Sequence, residues 1–158
     1  MDNLREPSKL IDGIKITSLK QIKDSRGAVF HVIKNNSKTF HGFGEAYFSK
    51  INENVIKGWK CHKLMKQNFC IPFGKLKLVL FDNRKNSPTY NQINEIIIDD
   101  CQNYNRVTIP EKIYYSFKCI SSNYCLLLNI SNIVHDPDES EQISILNDLI
   151  PYNWQLDE

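Results

Sequence analysis

The chain has 158 residues, 24% of them charged and 41% hydrophobic, with a formal net charge of +2. That length suits one domain, residues 1–158, built around a single buried core, and the composition is that of an ordinary globular protein. The small net charge, without any basic run, excludes the electrostatic footprint of a nucleic-acid binder.

Taken in order, the chain reads as mostly strand. Segment 11–25, IDGIKITSLKQIKDS, alternates apolar and polar residues over IKITSL, the period-2 pattern of a half-buried strand. Asp24-Ser-Arg-Gly27 is a turn, and AVFHVI after it is a strand containing His31. FGEAYFSKI, from Phe43, alternates again and puts Glu45, Tyr47 and Ser49 on one side. Segment 55–89 then gives three short strands. The first carries Lys60 and His62 on one face, with Lys57 and Trp59 on the other. Phe69-Cys-Ile71 is turned by Pro72-Phe73-Gly74, and KLKLVLF is broken by Asp82-Asn-Arg84-Lys-Asn86. INEIII, RVTIP, IYYSFKCI and YCLLLNI follow as further strands, the last two separated by Ser121-Ser-Asn123. The acidic stretch HDPDESEQ comes next. Residues 143–150 read as a helical turn with Ser144 or Asn147 near its start, stopped by Pro151, and Tyr152 and Trp154 as a terminal anchor on the body.

Short strands at regular spacing, with turn residues between them, predict an all-β barrel or jelly roll with a short C-terminal helical segment. Five cysteines, odd in number and without a C-x-x-C pair, argue against a disulfide framework or a zinc site. No phosphate loop, G-x-S-x-G or H-E-x-x-H is present. No apolar run approaches the ~20 residues of a membrane span. MDNLREPSKL lacks the apolar core of a signal peptide, so a cytoplasmic protein with no membrane partner is expected.

The motifs Asp24-Ser-Arg-Gly27, Lys57-Gly-Trp59, Asp82-Asn-Arg84 followed by Ser87-Pro-Thr89, Ile109-Pro110 with Phe117, and Ile150-Pro-Tyr-Asn-Trp154 occur in this order. The chain thereby resembles the dTDP-4-dehydrorhamnose 3,5-epimerase family. A divergent branch reading F-G-E-x-Y-F-S and P-H-D-P-D-E is matched by residues 43–49 and 134–139. The resemblance implies a double-stranded β-helix (cupin jelly roll) and a homodimer that exchanges its N-terminal strands, residues 11–33. It also implies no metal or other cofactor, and a nucleoside-diphosphate 4-keto-6-deoxy sugar as substrate, used in surface-polysaccharide or glycoside biosynthesis. The reaction inverts a carbon next to the C4 ketone. It needs a base for the α-proton, an acid on the opposite face and a group that stabilises the enolate oxygen.

At the family's positions the chain differs. The base histidine corresponds to Lys60, its aspartate partner to a place near Ser144, the acid tyrosine to Ile133 and a second histidine to Tyr115. Two readings follow. In one, Lys60, His62 and Tyr115 carry the chemistry: an amine in an apolar cup is favoured in its neutral form and accepts a proton, or it forms an imine with the ketone, while imidazole titrates near neutrality. In the other, Lys60 extends its amine to solvent, His62 is a hydrogen-bonded structural residue, and the protein binds a nucleotide sugar or a partner protein without turnover. Arg26, Glu45, Tyr47, Lys57 and Asn129 are the substrate-binding candidates. Arg26 matches an arginine that holds the sugar-linked phosphates, a place suited to bidentate pairing. Glu45 and Tyr47 replace Gln and Asn of the main family. His135 is expected as an exposed loop residue.

Overall fold

The computed structural model describes residues 9–156. Twelve strands are present among them: β1 (Lys15–Ser18), β2 (Gln21–Asp24), β3 (Gly27–Phe30), β4 (Glu45–Asn52), β5 (Ile56–His62), β6 (Gln67–Phe73), β7 (Lys75–Asp82), β8 (Ile93–Asp99), β9 (Asn105–Ile109), β10 (Ile113–Cys119), β11 (Tyr124–Ser131) and β12 (Ser140–Gln142). They form two five-stranded antiparallel sheets, ordered β1-β9-β6-β11-β4 and β12-β5-β10-β7-β8, plus the separate hairpin β2-β3. Two such sheets face to face make a jelly roll, one of the two architectures that the strand pattern predicts and the cupin form that the family resemblance implies.

The facing sides of the sheets supply the main core. Phe69, Ile71, Val107, Ile109 and Leu127 of the first sheet meet Leu76, Leu78, Leu80, Ile98, Ile113, Tyr115 and Phe117 of the second. The alternate residues of the second sheet, Trp59, Val79, Phe81 and Tyr114, form another cluster that Ile150 and Trp154 cover. KLKLVLF is nearly continuous in apolar residues because β7 is buried on both faces. The indole N–H of Trp154 donates to Oγ of Ser116, so the terminal anchor is both packed and hydrogen-bonded.

The helical turn expected over 143–150 is not formed. Ser144 Oγ accepts from the amide of Leu146, and Asn147 Oδ1 accepts from those of Leu149 and Ile150. Side-chain capping of single turns has won over helix propagation, as short polar side chains favour. The helical elements are instead two 3-10 turns, Pro137–Glu139 and Trp154–Leu156. His31 lies just beyond β3 rather than inside it.

Candidate active site

An opening lies between the two sheets of the jelly roll. This cup of about 240 Å³ is lined by Tyr47, Ser49, Leu127 and Asn129 of β4 and β11, and by Lys57, Lys60, Tyr115 and Phe117 of β5 and β10, with Phe69 and Gln142. Five sequence candidates therefore meet there: Lys60, Tyr115, Tyr47, Lys57 and Asn129. Lys60 sits directly opposite Tyr115 on β10 and Gln142 on β12.

Lys57 is a correction to the strand reading. Strict alternation puts it on the face opposite Lys60. The register instead slips between Tyr115 and Ser116, with Lys60 opposite Tyr115 but Gly58 opposite Ser116. A bulge adds one residue to β5, so Trp59 turns outward into the second cluster while Lys57 and Lys60 both face the cup. Gly58 permits this. Its φ is +118°, and a Cβ there would stand 2.7 Å from the Cα of Ser116 and from the carbonyl oxygen of Tyr115.

His62 does not line the cup. It is 4% exposed, one step behind Tyr115. Its Nδ1 bonds Oε1 of Glu139, and its Nε2 lies 3.2 Å from the Tyr115 hydroxyl. Glu139 is buried too, and its other oxygen accepts from the amides of Leu64 (3.1 Å) and Met65 (3.3 Å). A carboxylate at Nδ1 fixes the proton there and leaves Nε2 as an acceptor for the phenol O–H. Gln67 Nε2, at 3.4 Å, donates to the same phenol oxygen. Glu139, His62 and Tyr115 thus form a chain of hydrogen bonds ending at the cup wall.

The charge states follow from burial and neighbours. Burial is the main reason that His62 titrates below its ordinary range; Glu139 opposes this, while the positive charges of Lys60 and His135 add to it. Burial alone would raise the Glu139 carboxyl, but bonds from His62 and the two amides outweigh it and hold it low. Burial pushes the Tyr115 phenol up, so it stays protonated. Burial likewise raises the Cys61 thiol to about 12, helped by Glu141 and Glu139, which removes it as a nucleophile.

Glu139 is the residue that sequence reasoning missed. The family resemblance puts the carboxylate partner near Ser144 instead. The signal was present in H-D-P-D-E: Pro137 opens a 3-10 turn, Asp136 caps it by accepting from the amide of Asp138, and the turn aims Glu139 inward. The backbone bond from Lys63 to Glu139 and the pairing of Ser140 with His62 dock the turn on the end of β5. His135 is exposed, as expected of a loop histidine. Glu45 begins β4 opposite Ser131, half-buried and outside the cup lining. Arg26, with its side chain 88% exposed, is at the tip of the β2-β3 hairpin and pairs with Asp24 at 2.7 Å.

On the opposite wall, Asn129 Nδ2 donates to the Tyr47 hydroxyl at 2.9 Å. Asn129 Oδ1 is buried with no partner, an acceptor held ready at the cup wall. Among the described residues no group of three His, Cys, Asp or Glu is placed to hold a metal, and no helix is long and apolar enough to cross a membrane.

A jelly-roll cup with two hydrogen-bonded phenols in its wall defines a small cupin-type protein. The model of the dTDP-4-dehydrorhamnose 3,5-epimerase family matches residues 8–158, and the chain belongs to that family of nucleotide-sugar epimerases. A crystal structure of a dTDP sugar isomerase from Desulfovibrio desulfuricans superposes with a TM-score of 0.89 at 33% identity, covering 92% of each chain. The spore coat polysaccharide biosynthesis protein SpsL of Bacillus subtilis is 23% identical over 94% of this chain and 99% of its own length. The probable low-salt glycan biosynthesis epimerase Agl13 of Haloferax volcanii is 27% identical over 90% of this chain and 89% of its own.

Proposed function

We propose that the chain is an active epimerase that inverts a carbon next to the C4 ketone of a nucleoside-diphosphate 4-keto-6-deoxy sugar. The observation that carries this reading is a pair of phenols on facing walls of one cup, Tyr115 backed by His62 and Glu139, and Tyr47 held by Asn129. The cup, about 240 Å³, is smaller than the ~300–1,000 Å³ of pockets that enclose drug-sized ligands. It therefore takes the sugar ring and leaves the nucleotide at the mouth, where exposed Lys57 meets the phosphates.

The step balances as follows. Tyr115 takes the α-proton from carbon as it passes its own proton to Nε2 of His62. The C–H electron pair becomes the C=C bond, and the carbonyl pair moves onto the C4 oxygen. That enolate oxygen is stabilised by cationic Lys60. Tyr47 then gives its proton to the opposite face of the carbon and the ketone re-forms. Proton exchange with solvent resets both ends. Tyr47 is 46% exposed and refills directly.

The test is a dTDP-linked 4-keto-6-deoxyhexose incubated in D2O with the enzyme. Deuterium is expected at C3 or C5, with inversion. In Tyr47→Phe, deuterium still enters from the Tyr115 side, but the inverted product falls about a hundredfold. The absence of exchange across a panel of such sugars at high enzyme concentration would leave a protein that binds without turnover.

The same reading makes the protein a cytoplasmic homodimer. Among the described residues the β2-β3 hairpin pairs with no other strand, and it leaves Ile22 and Val29 exposed. Exchange across a twofold axis would cover both residues and carry Arg26 to the partner's cup mouth. Light scattering is expected to give twice the chain mass. The Ile22→Asp, Val29→Asp double variant is expected to halve it; an unchanged mass sinks the exchange.

A further inference from the structure

A second pocket, of about 380 Å³, lies under the segment that follows β3 and above β1 and β9. It is on the far side of its sheet from the cup. Val107 and Ile109 of β9 face the core, so the alternate residues Arg106 and Thr108 face outward. Arg106 forms part of the pocket wall and is only 3% exposed. One guanidinium nitrogen donates to the carbonyl of Val32 and another to Oγ1 of Thr39 at 2.6 Å, while its Nε is buried with no partner.

No carboxylate among the described residues answers this charge. Among the described residues Arg106 makes no ion pair, and neither Asp nor Glu lines the pocket. Lys20, Lys34 and Lys38 line it as well, none of them in an ion pair among the described residues, with the hydroxyls of Ser37 and Thr39 beside them. A buried cation without a counter-charge is costly. Three more cations around the same concavity add to that cost, unless the site is filled by an anion that they attract together.

We propose that this pocket binds a phosphate dianion, free or carried on a small ligand, independently of the cup. Fixed guanidinium donors suit phosphate oxygens. The lysines on the 31–39 segment bring further point charges, and the hydroxyls supply donors that need no charge.

The test is calorimetric titration of the full chain with inorganic phosphate. Saturable binding of one phosphate per chain is expected, and it should persist in Lys60→Ala, which alters only the cup. The Lys34→Ala, Lys38→Ala double variant, on exposed positions that leave the fold intact, should weaken binding about tenfold or more. Arg106→Lys should weaken it further. In the Lys60→Ala background a nucleoside monophosphate that binds more tightly than phosphate identifies a phosphorylated ligand as the occupant; one that binds no better identifies free phosphate. No saturable heat, or heat lost with Lys60 and kept in the Lys34, Lys38 variant, overturns the proposal.

Discussion

His62→Asn is expected to lower the rate of solvent deuterium incorporation into a 4-keto nucleotide sugar by about 10³-fold in the folded protein, with nucleotide affinity nearly unchanged. His62 lies behind the cup wall, so its loss removes no contact with a ligand in the cup. What goes is the acceptor for the Tyr115 proton. The pH profile tests the same claim. Only neutral His62 accepts a proton, so the rate is flat at higher pH and falls as pH drops through the imidazole pKa. Burial lowers that pKa from 6.5, so the acid limb should lie below the range of an ordinary histidine. Glu139→Gln removes the charge that opposes this shift and should move the limb lower still. The Gln amide can also donate to Nδ1, which would place the ring proton on Nε2 and block acceptance from Tyr115. A loss of about 10²-fold or more is expected. A His62→Asn enzyme within a factor of two or three of the wild-type rate would remove the histidine from the mechanism.

Most strands were legible because period-2 alternation is a local property. β4, β7, β8, β10 and β11 begin and end within a few residues of where their sequence patterns do. Lys60, Tyr115 and Tyr47 were singled out by the positions that the family resemblance assigns them, with Asn129 beside them as a binding candidate, and not by alternation alone. Three things were not legible. The bulge at Trp59 reverses the face of Lys57, and a bulge is set by cross-strand register rather than by the residues that flank it. The His62–Glu139 pair joins residues 77 positions apart, and the glutamate sits in an acidic run where neighbouring carboxylates face solvent. Only the 3-10 turn at Pro137 singles it out. The empty-handed Arg106 was invisible because β9 reads simply as a short strand, and a missing counter-charge appears only when the neighbours of a side chain are known. Under the proposed function, the positions at which the resemblance puts the family's catalytic groups change identity. Lys60 takes the place of the imidazole, and His62, two residues on, holds a carboxylate behind it.

Asp82→Ala is expected to destabilise the fold by about 3 kcal/mol while leaving the activity of each folded molecule intact. The D-x-R-x-x-S-P-T motif is a latch, and Asp82, fully buried, is its centre. Oδ1 accepts from Nε of Arg84 at 2.8 Å and from its backbone amide at 3.0 Å. Oδ2 accepts from Nη2 of Arg84, Oγ of Ser87 and Oγ1 of Thr89 at 2.9, 2.6 and 2.7 Å. The same groups hold the incoming chain: Arg84 donates to the carbonyl of Asp12, and the amide of Asp12 donates to Thr89. Ile11 and Ile14, buried beside that contact, belong to the main core. Alanine would leave a half-buried guanidinium and two hydroxyls without their acceptor and loosen the segment that carries both isoleucines. At this chain length the loss corresponds to a fall of about 6–12 °C in melting temperature. Acid sensitivity gives an independent check. Burial alone would raise the Asp82 carboxyl, but the bonds from Arg84, Ser87 and Thr89 outweigh it and hold it at about 2, below the ordinary 3.8. The contribution is therefore complete above pH 3.8 and is lost as pH falls through 2. Denaturation curves of wild type and Asp82→Ala should differ most above pH 3.8 and converge toward pH 2. A difference under about 0.5 kcal/mol near neutrality would place Asp82 among ordinary surface positions and sink the latch.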